Sequence, residues 1–134
     1  MNETFTAETP SKEKKSLRTA MISLPMMLRS EEEIRSEYIK ATKHVLHDLC
    51  YDYVVDTLFN GPEYSVKALE ARGIKNIPLY FLAKSLERMA ECDTVYFCKG
   101  WEEARGCQME YKAAHDYLLQ ILFEENDKYV ERKW

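Results

Sequence analysis

A chain of 134 residues, 46% apolar and 31% charged, is long enough for one domain with a full core. Its formal net charge of −4 weighs against a nucleic-acid backbone or an anionic membrane as the main partner, because both reward a basic surface. No run approaches the roughly 18 apolar residues that span a bilayer, and the first residues lack the apolar stretch of a secretory signal. The four cysteines, Cys50, Cys92, Cys98 and Cys107, show no C-x-x-C pair. A reduced, cytoplasmic protein with neither metal nor cofactor is the expectation.

Residues 1–18 read as a polar arm, with Pro10 and the cluster Lys12-Glu13-Lys14-Lys15. The apolar run 19–24 predicts a buried first strand, ended by Pro25, which has no N–H to give a ladder. Ser30 followed by Glu33 is the capping-box pattern. A helix is expected from there to about Cys50, with Ile34, Tyr38, Ala41, Val45 and Leu49 on its inner face. Residues 53–59 predict a second strand. Between 60 and 78, Gly61-Pro62 and Gly73 signal turns around a short helix at 64–72. Helical spacing returns over 79–91, with Leu82, Leu86 and Met89 as its apolar line.

A third strand is expected from Asp93 or Thr94 to Cys98, then a loop holding Gly100 and Gly106, then helical spacing over 111–118. Glu110 falls at the first turn of that helix, where a carboxylate commonly serves the helix dipole. A last strand at 119–123 leads into the charged segment 126–134. One domain at 19–125 between two polar ends is the expected organisation. Strands alternating with helices point to a parallel sheet with helices on both faces. Such a sheet lines up the loops after its strands along one edge, where ligands bind. The turn 23–27 with Ser23, Pro25 and Met26, Asp56, and the stretch 100–110 are therefore expected to converge.

Four phrases carry a family resemblance: Ile22-Ser23-Leu24-Pro25-Met26, Leu82-Ala83-Lys84-Ser85-Leu86-Glu87-Arg88-Met89, Cys92-Asp93-Thr94-Val95-Tyr96-Phe97, and Gly100-Trp101-Glu102-Glu103-Ala104-Arg105-Gly106-Cys107. Over about 19–125 the chain resembles the phage and bacterial DUF4406 proteins, related to the nucleoside 2-deoxyribosyltransferase superfamily. The resemblance implies a flavodoxin/Rossmann-like doubly wound parallel sheet, an oligomer, and a pocket for a nucleoside or nucleotide. It also implies a glutamate nucleophile, in a G-[TS]-x-x-E-x-G-x-A phrase, that attacks the anomeric carbon of 2-deoxyribose and releases the base. Gly106, Cys107, Glu110 and Ala114 fall on that phrase in order. Lys112 stands where the family has its second glycine. Ala104-Arg105 stands where an Asp-Ser pair commonly helps place the sugar and protonate the base.

Cleaving an N-glycosidic bond passes through an oxocarbenium-like state, so a carboxylate beneath C1′ stabilises or captures the developing charge. Glu110 takes that role, and Asp93, Glu103 or Asp56 would protonate the leaving base. Each has a structural alternative: Asp93 as a turn residue, Asp56 as a strand terminator, Glu110 as a helix-dipole carboxylate. Ser23 would hold sugar or phosphate, or satisfy a loop amide. Arg105 would grip a phosphate or pair with Glu102. Trp101 would stack on a base or pack over the sheet edge. Ser85 matches a family position near the phosphate, or faces solvent on its helix. His44, His47 and His115 read as structural. Two functions follow: an N-glycosidase or deoxyribosyltransferase-like enzyme, or a non-catalytic nucleotide-binding protein that sequesters or senses its ligand. The aromatics Tyr38, Tyr51, Tyr80, Phe81, Tyr117 and Tyr129 exceed what a small sheet buries, which favours a homo-oligomer.

Overall fold

A computed structural model describes residues 17–124 and 129–130; most of the N-terminal arm and most of the charged C-terminal segment lie outside them. The elements in order are β1 (Thr19–Ser23), α1 (Glu31–Lys43), β2 (Tyr53–Val54), α2 (Val66–Ala71), α3 (Ile77–Met89), β3 (Thr94–Phe97), α4 (Arg105–Asp116), β4 (Gln120–Phe123) and β5 (Tyr129–Val130). The sheet order is β2-β1-β3-β4-β5. The first four strands are parallel and β5 pairs antiparallel with β4. This is the flavodoxin/Rossmann-like α/β arrangement, whose order reverses between β1 and β3.

Alternation along the strands splits the core in two. Ala20, Ile22, Tyr96 and Leu122 face α1, where Tyr38, Ala41 and Val45 meet them, with Ile34 and Leu49 packed alongside. Met21, Val95, Phe97 and Ile121 face the other way, toward Met89 of α3 and Ala114 of α4. Fully burying one such side chain contributes ~1.5–3 kcal/mol.

Local chemistry sets the element ends. Ser30 caps α1 as expected: its hydroxyl accepts from the Glu33 amide at 3.1 Å, and the Glu33 carboxylate accepts from the Ser30 amide at 2.8 Å. Beyond Lys43 the helix widens into a π turn, His44–Asp48. The second strand is far shorter than the expected 53–59. Past Val54 most of its ladder is replaced by side chains: the Tyr38 hydroxyl donates to the Val55 carbonyl and accepts from the Thr57 amide, and the Thr57 hydroxyl donates to the Ile22 carbonyl.

The greatest departure follows β3. The stretch 100–110, expected as a loop, is a 3₁₀ turn at Trp101–Glu103 followed directly by α4. Glu110 is therefore the sixth residue of its helix. It lies past the first turn, where the dipole effect is concentrated. The segment after β4 is also more than a charged tail, since Tyr129 and Val130 pair with Leu122 and Ile121.

Candidate functional site

Ser23 is the last residue of β1, beside the reversal between β1 and β3, and is 1% exposed. Its hydroxyl donates to Oε1 of Glu110 at 2.5 Å, across 87 residues of sequence. Ser85, midway along α3 and half-buried, lies near enough to the same carboxyl to favour its ionised form. Cys107, one turn before Glu110 on α4, is buried with its thiol against the Ser23 hydroxyl. Three segments remote in sequence thus meet on one carboxyl group.

Burial governs the electrostatics. Desolvation raises the Glu110 pKa above the ordinary carboxylate value, and the Ser23 and Ser85 hydroxyls act in the opposite direction by binding the ionised form. The Cys107 thiol is pushed up to about 11, chiefly by burial, with Ser23 lowering it and the Glu110 charge raising it. The Cys98 thiol is held at about 12, again chiefly by burial. Both sulfurs stay protonated near neutral pH and behave as small apolar groups. Among the described residues, no group of three His, Cys, Asp or Glu side chains is placed to hold a metal ion.

The other candidate residues divide by place. Pro25 is buried and borders Gly100. Gly100 has φ +92°, a left-handed geometry that favours glycine, and opens the 3₁₀ turn. Met26 is 46% exposed at the same edge. Arg105 and Gly106 are exposed in the first turn of α4, and a Cβ on Gly106 would meet nothing within 4 Å. Neither tight packing nor positive φ calls for that glycine. Glu103 is exposed on the 3₁₀ turn.

Asp56 is exposed, and its Oδ1 accepts from the Leu58 amide two residues on, closing its own turn. Trp101 stacks on Tyr111 and Phe123, with ring centroids 4.8 and 5.4 Å apart, and packs against Phe97. It closes the sheet edge. Asp93 departs furthest from its expected role. It precedes β3 at the amino edge, where its Oδ2 accepts from the Thr19 amide at 3.0 Å. Four residues of strand rise put it ~13 Å from Ser23, so it ties two strand starts together and does not reach Glu110.

Arg29 belongs at this edge and did not stand out in the sequence. Its guanidinium pairs with Glu37 and donates to the Lys99 carbonyl at 3.4 Å. Its Nη2 lies 3.4 Å from where a Cβ on Gly100 would be. Its position was the available signal: it directly precedes the Ser30 cap, in the loop leaving the first strand.

Residues 68–123 match the family model DUF4406, described as a domain of unknown function. The DUF4406 stretch begins in α2 and ends with β4, so it holds Ser85, Cys107 and Glu110 while Ser23 and Arg29 lie before it. No curated protein and no solved structure matches the chain.

Proposed function

We propose that the Ser23–Ser85–Glu110 site cleaves the N-glycosidic bond of a nucleoside or nucleotide, with Glu110 as nucleophile. The observation that carries this reading is a buried carboxyl group brought by α4 to the β1/β3 reversal and held there by the Ser23 hydroxyl of β1, with Ser85 of α3 nearby. A doubly wound sheet offers ligands that crevice. The resemblance of the chain to the nucleoside 2-deoxyribosyltransferase superfamily, carried by Gly106, Cys107, Glu110 and Ala114, is what points to the substrate class.

In the first step a Glu110 oxygen bonds to C1′ while the C1′–N bond breaks, its electron pair leaving with the base. A proton from solvent or from an acid side chain neutralises the base. Water, giving up a proton to solvent, then attacks C1′ and releases the sugar, or a second base attacks C1′ and departs as a new nucleoside. Either way the C1′–O bond to Glu110 breaks and the carboxylate returns. The Ser23 hydroxyl holds Glu110 in one orientation, and both serines favour its ionised, nucleophilic form. Ser23 with Arg105 would position the sugar and any phosphate. Trp101 packs at the sheet edge on Tyr111 and Phe123.

A second reading is favoured by a specific observation. Of the three proposed proton donors, Asp93 binds the Thr19 amide at the opposite edge, Glu103 and Asp56 are exposed to solvent, and none of them is hydrogen-bonded to Glu110. A protein that binds a nucleotide without turning it over needs no such donor. In either reading the protein would work in the cytoplasm as a homo-oligomer. The apolar tip Met26–Met27–Leu28, with Leu28 98% exposed, offers a surface on which a second copy would seat.

The deciding experiment gives the purified protein deoxynucleosides and their monophosphates and measures free base by chromatography. Release by the parent and none by Glu110→Ala is the expected result. Base release that persists in Glu110→Ala overturns the nucleophile assignment. A ligand that raises the melting temperature and is recovered intact establishes the binding reading.

A further inference from the structure

A second concave surface lies across the sheet from Glu110, on the side covered by α1. This cleft of about 850 Å³ runs between the outer face of α1 and the turn after β3, a volume in the range of small-molecule sites. Ser36, Lys40 and Lys43 line it from α1, His47 from the π turn that follows, and Lys99 from the turn after β3. Arg29 closes the end nearest Gly100.

The charges in this cleft are unevenly satisfied. Its three carboxylates are hydrogen-bonded: Glu37 pairs with Arg29, Asp48 with His44 at 2.7 Å, and Glu124 accepts from the neutral backbone amide of Lys99 at 2.8 Å. The ammonium groups of Lys40, Lys43 and Lys99 meet no carboxylate within ion-pair distance among the described residues. Among the described lining groups, four cations, Arg29, Lys40, Lys43 and Lys99, stand against three carboxylates, in a chain whose net charge is −4. Ammonium and guanidinium donors that line one hollow match the several oxygens of a phosphate group.

We infer that the α1 cleft is a binding site for a small phosphate-bearing anion, separate from the Glu110 crevice. A small ligand fits better than a polynucleotide, because the four cations line a single hollow and the net negative charge of the chain repels a long polyanion. Arg29 gives the cleft a physical connection to the crevice. An anion drawing its guanidinium from Glu37 also acts on the bond to the Lys99 carbonyl and on the contact with Gly100, at the carboxyl end of β3.

The test titrates the full chain with inorganic pyrophosphate by calorimetry at fixed ionic strength, with melting temperature as a second readout. Saturable one-to-one binding is expected, weakened about tenfold or more in Lys40→Ala/Lys43→Ala and unchanged in Lys112→Ala. Lys112 is exposed on α4 and paired with Asp116, so it controls for general charge. Alanine on the outer face of α1 preserves helix propensity, and an unchanged melting temperature without ligand verifies the fold. Absence of saturable binding at millimolar pyrophosphate overturns the site. So does equal binding by the double variant and the control, or tighter binding of a single-stranded oligonucleotide than of pyrophosphate at the same salt. Glu110→Ala should bind pyrophosphate as the parent does, which separates this site from the proposed glycosidic chemistry.

Discussion

Replacing Glu110 by glutamine keeps the shape of the side chain and its acceptor for the Ser23 hydroxyl while removing the ionisable group. Burial lifts the folded-state pKa above the ordinary 4.5, so the folded protein holds this proton to higher pH than the unfolded chain does. The stability contributed by the protonated form is complete below 4.5 and is lost as pH rises through the folded value. Each unit between the unfolded and folded values costs the parent about 1.4 kcal/mol at high pH. The glutamine variant has no such loss. Near pH 4 the two proteins should agree within about 1 kcal/mol, because acid and amide both accept from Ser23. Toward neutral pH the variant should gain steadily on the parent, then hold a constant lead.

Urea unfolding of both proteins from about pH 4 to about pH 8 measures this difference, and groups common to both largely cancel. Cys107, the neighbouring titratable group, is held at about 11 and stays neutral throughout. Parallel stability curves would refute the reasoning, and so would a parent that gains on the variant as pH rises. The second result would mean that the two hydroxyls outweigh desolvation. The same shift bears on catalysis: base release that needs ionised Glu110 should rise with pH through a value above 4.5.

The remaining predictions test residues assigned to architecture. Asp93→Ala should cost about 1–2 kcal/mol through loss of the Thr19 amide bond, measured by urea unfolding, and leave base release unchanged; loss of turnover in a folded variant would return Asp93 to the chemistry. Gly100→Ala should cost about 1–2 kcal/mol, because an alanine at φ +92° is strained and its Cβ would come within 3.4 Å of Arg29. Calorimetric unfolding measures it, and a neutral result would refute the turn geometry.

Much of the fold was legible in the sequence because it rests on local rules. The Ser30–Glu33 box, the apolar line of α1 and the apolar runs of β1, β3 and β4 are set by neighbours within a turn or by alternation along a strand. The order of strands and helices pointed to a parallel sheet and to its carboxyl edge. The length of β2 was not legible, because the Tyr38 and Thr57 side chains that displace its ladder come from packing. The start of α4 was hidden as well: Ala104 caps it without a side-chain bond, so no hydroxyl or carboxylate marks the entry.

The site divides in the same way. Ser23, Ser85, Cys107 and Glu110 could be named from the chain, and so could Asp93. Tertiary structure decided that the first four meet while Asp93 binds the Thr19 amide at the far edge. It also decided that Trp101 packs on Tyr111 and Phe123, and that Arg29 reaches Lys99. The physical reason is distance along the chain. Local sequence sets backbone conformation and the face on which a side chain sits, whereas desolvation of a carboxyl and its hydroxyl partners depend on segments as remote as the 87 residues between Ser23 and Glu110, which only the closed sheet brings together.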